Sequence, residues 1–171
     1  MDTKREEDGY VEFGWIATKD LKPHPDNARE HTEYQVKQIA KSIDSLGWGR
    51  PLTISLDNYV LIGHGALLAA EDELSLMSVP FRRVKYNHDT PEAIALMLSD
   101  NKLAELSNWN YGKLEALNDT LELEGFDTTL TGFDEHELKT PDFQPVGEEE
   151  QPRLDKLDPK GLKCPECGYE W

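Results

Sequence analysis

The chain has 171 residues, a formal net charge of −16, and 37% hydrophobic against 30% charged side chains, which suits one domain of ordinary size with a modest core and some tail. So acidic a chain is a poor general binder of nucleic-acid backbone, because neutralising phosphates takes Lys and Arg, and no stretch approaches the ~20 apolar residues of a membrane span. Cys164 and Cys167, its two cysteines, make no disulfide framework and fit a reducing compartment, and the polar start MDTKREEDGY shows no secretory signal, so the expected location is cytoplasmic.

Residues 1–9 read as disordered. YVEFGWIA (10–17) has the aromatic and β-branched content of a strand. KPHPDNAREH (22–31) reads as a loop in which Pro23 and Pro25 block regular structure. Thr32 looks like an N-cap with Gln35 completing a capping box. Val36, Ile39, Ala40, Ile43 and Leu46 then follow at helical spacing until Gly47. PLTISL (51–56) and YVLI (59–62), separated by Asp57-Asn58, read as a hairpin with a two-residue turn. A helix over 65–74 follows the GHG turn, and VPFRRVKY (79–86) reads as another strand. Its Arg82, Arg83 and Lys85 look like the charges of a solvated strand edge. Thr90 caps a further helix with Pro91 at its first position. A last helix runs from about Tyr111 to Glu124, with Leu114, Leu117 and Leu121 on one face. The proline- and charge-rich stretch 141–161 reads as an acidic flexible linker to a cysteine knuckle at 162–171.

Chemistry concentrates at YVLIGHGALLAA. Gly63 and Gly65 remove side chains where a strand becomes a helix, and the unsatisfied N–H groups of a helix start can receive an anion. His64 could add a hydrogen bond to a phosphate oxygen. On its own a Gly-x-Gly more often marks a tight strand–helix corner.

Taken in order, LKPHPDNAREH, QVKQIAKSIDSLGWGRPLTI, VLIGHGALLAA, VPFRRV and LMLSDNKLAELSNW resemble the ParB/sulfiredoxin-fold family, more narrowly the ParB-like nuclease-domain proteins of phages and mobile elements. The likeness covers residues 12–138 and includes ELEGFDTTLTGFDEHEL. It implies an α+β domain over 10–140, a small mixed sheet with packed helices, plus a short helical extension. In relatives of this fold the glycine turn binds nucleotide phosphates, CTP in the partitioning proteins and ATP in sulfiredoxin. That carries a phosphate site onto Gly63, His64 and Gly65. The partitioning proteins have a Glu-Asn pair near the phosphates and magnesium. SDNK stands in its place, so Asp100 and Asn101 inherit the catalytic role of orienting Mg²⁺ or water, with Lys102 beside them. The family's Pro-Asn-x-Arg loop brings Asn27, Arg29 and His31 toward a phosphate or base. The competing reading is a turn capped by Asn27, with Arg29 paired to an acid. Trp48 and Trp109 read as packing residues.

The sequence departs from that family in two ways. Relatives usually carry an arginine after the glycine turn, where this chain has Ala66; losing a bidentate phosphate contact should weaken binding, with Arg50 or Lys102 as candidate substitutes. The partitioning proteins also continue into a helix-turn-helix domain, which this sequence does not show. The leading expectation is therefore binding of a nucleotide (CTP or ATP) or of DNA phosphate, compatible with Mg²⁺-dependent nuclease or NTP hydrolase activity. The alternative is a non-catalytic acidic adaptor: a partner of a DNA methyltransferase, packaging enzyme or other phage protein, or a DNA mimic. CPECG has the shape of half a zinc ribbon, with Cys164 and Cys167 giving two of the four ligands Zn²⁺ takes. A site shared by a homodimer ranks first; completion by His136 and a metal-free remnant stay open.

Overall fold

A computed structural model describes residues 9–134 together with Glu137 and Cys167. The chain divides into two units, Met1–Thr140 and Pro141–Trp171. The expected disordered start before Gly9, the linker 141–161, His136 and Cys164 lie outside the described residues; Cys167 is exposed with a free thiol.

Five strands form one mixed sheet: β1 (Tyr10–Ala17), β2 (Lys22–Pro23), β3 (Leu52–Ile54), β4 (Tyr59–Ile62) and β5 (Ser78–Val84), in the order β1-β5-β3-β4-β2. β1 runs antiparallel to β5 and β3 antiparallel to β4, whereas β3–β5 and β2–β4 are parallel. The first correction to the sequence reading is β2. Lys22 and Pro23 pair with Tyr59 and Val60 at the sheet's outer edge, where a proline's missing N–H costs no ladder bond.

Helix α1 (Glu33–Leu46) starts as expected, with the Thr32 hydroxyl accepting from Gln35 N at 3.2 Å, and ends at Gly47, φ 79°. The reciprocal half of the capping box is missing: the Gln35 Oε1 takes a hydrogen bond from His31 Nδ1 at 3.0 Å instead. Helix α2 (His64–Leu68) continues as a π-helical turn over Ala69–Glu73. Helix α3 (Pro91–Ala104) is capped by Thr90, and α4 (Tyr111–Leu123) by Asn110.

Val60 and Leu61 of β4 face opposite sides of the sheet, and the register shift in the β3–β4 ladder sets Ile62 with Leu61. Val60 joins Leu52, Ile54, Val79 and Phe81 against Leu67 and Ala70, while Leu61 joins Ile62 and Val84 against Ala93 and Met97 of α3. Val36 and Ala40 of α1 close onto the buried Ala69. Helix α4 buries no residue, and its Leu117 is 65% exposed. The leucine face read from its spacing borders an apolar groove of about 300 Å³ with Phe133, not the domain core.

The hairpin turn is one residue longer than the two-residue turn expected. Asn58 N bonds Ser55 O at 3.3 Å, Ser55 N bonds Tyr59 O at 2.9 Å, and Asn58 sits at φ 68°. This is a type I turn closed by a left-handed residue, a conformation asparagine tolerates. Asp57 anchors it by accepting from Ser55 Oγ at 2.6 Å, His88 N at 3.1 Å and His88 Nδ1 at 2.5 Å. Burial alone would raise the Asp57 carboxyl, but the bonds from Ser55 and His88 outweigh it and hold it at about 2. Arg83 also departs from the expectation. β5 is an inner strand, and the Arg83 guanidinium, 14% exposed, clamps the turn through Ser55 O, Leu56 O and Asn58 Oδ1 and pairs with Glu12.

Candidate functional site

The strand–helix corner lies at the floor of a cleft of about 360 Å³. Sterics favour both glycines. Gly63 has φ 99°, and a Cβ there would stand 2.6 Å from Leu52 Cδ2. A Cβ on Gly65 would stand 2.9 Å from Ile39 Cδ1 and 3.0 Å from His31 Nδ1. The left-handed backbone holds position 63 to glycine, while a Cβ at position 65 would require the Ile39 and His31 side chains to give way. Gly63 O accepts the first helical bond from Leu67 N at 2.9 Å, and no side chain caps the helix. The N–H groups of His64, Gly65 and Ala66 precede that bond and need partners from elsewhere.

His64 is 8% exposed, and its Nε2 is buried without a hydrogen-bond partner among the described residues. Burial first, then the neighbouring His31 and His24, push its pKa down to about 4 against a backbone hydrogen bond at Val60, so the ring is neutral at physiological pH. The neutral ring's one N–H is spent on the Val60 backbone, so Nε2 offers a lone pair and donates to an anion only once protonated.

Further polar side chains reach the cleft from three separate elements. Arg29 comes from the loop before α1, Arg50 from the turn between α1 and β3, and Asp100 with Asn101 from α3. Arg29 Nη1 meets Glu105 Oε1 at 2.7 Å, and Lys102 Nζ meets the other oxygen at 2.9 Å. Those two cations, Lys102 first, hold the Glu105 carboxyl below its ordinary value. Arg50 Nη1 stands 3.5 Å from Asp100 Oδ1, a long pair between a 65% exposed guanidinium and a 25% exposed carboxylate. Asn101 Nδ2 donates to Met97 O at 3.0 Å, which fixes the amide and leaves its Oδ1 outside that bond.

The candidates named from the sequence thus separate. Gly63, His64, Gly65, Arg29, Asp100 and Asn101 share the cleft. Asn27 and Lys102 line an adjoining groove. Asn27 exchanges hydrogen bonds with the Arg29 backbone, Nδ2 to O at 3.0 Å and N to Oδ1 at 3.2 Å, so it shapes the loop that presents Arg29. Two residues read from the sequence as structural are Gln35, a helix cap, and Trp48, a packing residue. Both line the cleft, and Trp48 also packs on the core. Gln35 could have been found from its place one helical turn after His31. Among the described residues no three His, Cys, Asp or Glu side chains gather as a metal cage, and no helix is long and apolar enough to cross a membrane.

No protein-family model matches the sequence. Among solved structures, the C-terminally truncated chromosome-partitioning protein ParB from Caulobacter crescentus, complexed with CTP-gamma-S, superposes with a TM-score of 0.55 at 19% identity. The match covers 67% of this chain and 64% of that one, so this chain spans just under two thirds of its length. A pNOB8-like ParB-N domain gives a TM-score of 0.48 at 12% identity. In sequence, the chain is 40% identical over 62 residues to the ParB-like nuclease domain-containing protein YnaK of Escherichia coli (strain K12), a stretch that is 36% of this chain and 70% of that protein. Identity at that level over most of the smaller protein goes beyond a shared fold: the chain belongs to the ParB-like family.

Proposed function

We propose that the cleft binds the phosphates of a nucleotide. The observation that carries this reading is the convergence on one cleft of the uncapped N–H groups after Gly63, the buried His64, two arginines, and Asp100 with Asn101. Groups of this kind around a volume of about 360 Å³ fit a small molecule, for which pockets run from ~300 Å³ upward. A nucleotide suits the site better than a long DNA contact, since two cations in the cleft of a chain with net charge −16 neutralise few phosphates. The CTP-gamma-S held by the Caulobacter ParB supports the same ligand class.

The donor set also fits Mg²⁺ carried in with the nucleotide. One carboxylate, Asp100, and one amide oxygen, Asn101, beside phosphates and waters make an ordinary Mg²⁺ complement, whereas a protein-only cage would need more carboxylates. When bound, the metal would neutralise charge on the phosphates. The chain's own part is to fix the phosphates on backbone N–H groups, to exclude water with Ile39, Ile43 and Trp48, and to hold Asp100 where it can orient the metal or a water for hydrolysis.

The test is calorimetric titration with CTP, ATP, GTP and a short DNA duplex, with and without Mg²⁺. The expected result is nucleotide binding strengthened by Mg²⁺. If nothing binds even at millimolar ligand, the second reading replaces the first: an interaction module working through the exposed apolar groove of Leu114, Leu117, Leu121 and Phe133.

A further inference from the structure

Two guanidinium groups reach the cleft, and they stand in different states. Arg29 is committed: its contact with Glu105 is 2.7 Å, and that carboxylate is shared with Lys102. Drawing Arg29 onto a ligand would leave Glu105 half-neutralised beside the incoming phosphates. Arg50 is loosely held: its only ion pair among the described residues is the 3.5 Å contact with Asp100, and its side chain is 65% exposed. A pair of that length, open to water, is worth little, so moving Arg50 costs little. Ala66, at the start of α2, lines the same cleft without a charge. Asp100 is less exposed than Arg50 and sits next to Asn101 on α3, so a phosphate that takes Arg50 leaves a carboxylate facing it uncompensated, and a divalent cation restores the balance.

We propose that Arg50 is the residue that grips the ligand phosphates, and that its pair with Asp100 is a resting clasp which the phosphate opens, releasing Asp100 to the metal. The proposal rests on the phosphate reading of the cleft and assigns that site its cation and the source of its metal dependence. Arg50 is two-thirds exposed and pins no element of the fold, so its replacement leaves the domain intact.

The experiment titrates the full chain with tripolyphosphate and with CTP, in chelator and again in Mg²⁺. Arg50→Gln should weaken binding by about ten- to a hundredfold, the loss of one charge-assisted contact. Arg50→Lys should recover part of it, a point charge without the bidentate fork. Lys113→Gln, the same charge change on α4, should bind like wild type. Asp100→Asn should bind tripolyphosphate several-fold more tightly in chelator and respond less to Mg²⁺. The decisive comparison is the double variant: with Arg50 already gone there is no clasp to open, so the gain from Asp100→Asn should shrink to what charge repulsion alone gives. Wild-type affinity in Arg50→Gln overturns the assignment of the cation. A gain from Asp100→Asn that persists undiminished in the double variant overturns the clasp, since it would be plain charge repulsion. Absence of any binding by the wild type is a different result, and overturns the phosphate reading itself.

Discussion

Mild acidification should destabilise this protein through His64. The native ring is neutral because burial, with His31 and His24 nearby, lowers its pKa to about 4, while in the unfolded chain it titrates near the ordinary ~6.5. The native pKa is the depressed one, so the unfolded state binds the proton first. The contribution of the neutral, buried ring is complete above about pH 6.5 and is lost as pH falls toward about 4. Each pH unit inside that window costs ~1.4 kcal/mol, and from about pH 7 to about pH 5 the loss comes to about 2 kcal/mol. Carboxylates also titrate at the lower end, so the useful quantity is the difference between wild type and His64→Gln. Urea unfolding at several pH values between about 7 and 5 should give a steep fall in stability for wild type and a flat profile for the variant, whatever the variant's absolute stability. Parallel profiles would show that the ring is not held neutral by the fold. Ligand adds a second arm. Phosphate beside His64 favours the charged ring, so binding near pH 5 should take up a fraction of a proton, up to about one, that the variant does not. Titration in buffers of different ionisation enthalpy measures it.

Three other outcomes follow from the same geometry and from the tail. Ala66→Arg places a further guanidinium on the cleft wall and should tighten nucleotide binding about tenfold or more, one charge-assisted contact added to that of Arg50; a well-folded variant with unchanged affinity would mean that residue 66 does not reach the phosphates. Gly65→Val drives a branched side chain into Ile39 and His31 and should destabilise the fold by about 1–3 kcal/mol, so any loss of binding in that variant reports on packing; an unchanged unfolding midpoint would contradict the close approach. Cys164 and Cys167 offer two thiolates to a metal that takes four, so a reduced, chelator-free preparation should contain half a zinc per chain and dimerise by light scattering. One zinc per monomer would direct attention to His136, and none would leave the knuckle metal-free.

The parts of the fold that were legible in the sequence are those that local chemistry decides. Thr32, Thr90 and Gly47 mark helix ends because each satisfies backbone groups within a few residues, and the strand 10–17 is readable from its side chains alone. What could not be read depends on partners distant in sequence. β2 exists because β4 offers an edge to Lys22 and Pro23. Arg83 is an interior clamp because β5 lies between β1 and β3, which no local pattern announces. The Arg50–Asp100 pair joins positions 50 residues apart. One separation within the site was legible and was missed. Asp100 and Lys102 are two positions apart on α3, so a helix of 3.6 residues per turn sends them to different sides; Asp100 lines the cleft while Lys102 lines the neighbouring groove.

The glycine corner shows why a motif and a site need separate arguments. Gly63 holds a left-handed backbone against Leu52, and Gly65 lies close against the Ile39 and His31 side chains. Both glycines would therefore be favoured in a chain that bound nothing at all, and their presence speaks for the fold before it speaks for a ligand. What the corner adds on its own is a set of backbone N–H groups without helical partners, and many helix starts have those. The functional reading gains its weight only from groups the corner does not dictate: a histidine buried with a nitrogen unpartnered among the described residues, and an arginine and an aspartate brought to the same cleft from two other elements. Replacing Arg50 or Asp100 therefore tests function cleanly, where replacing either glycine tests the fold.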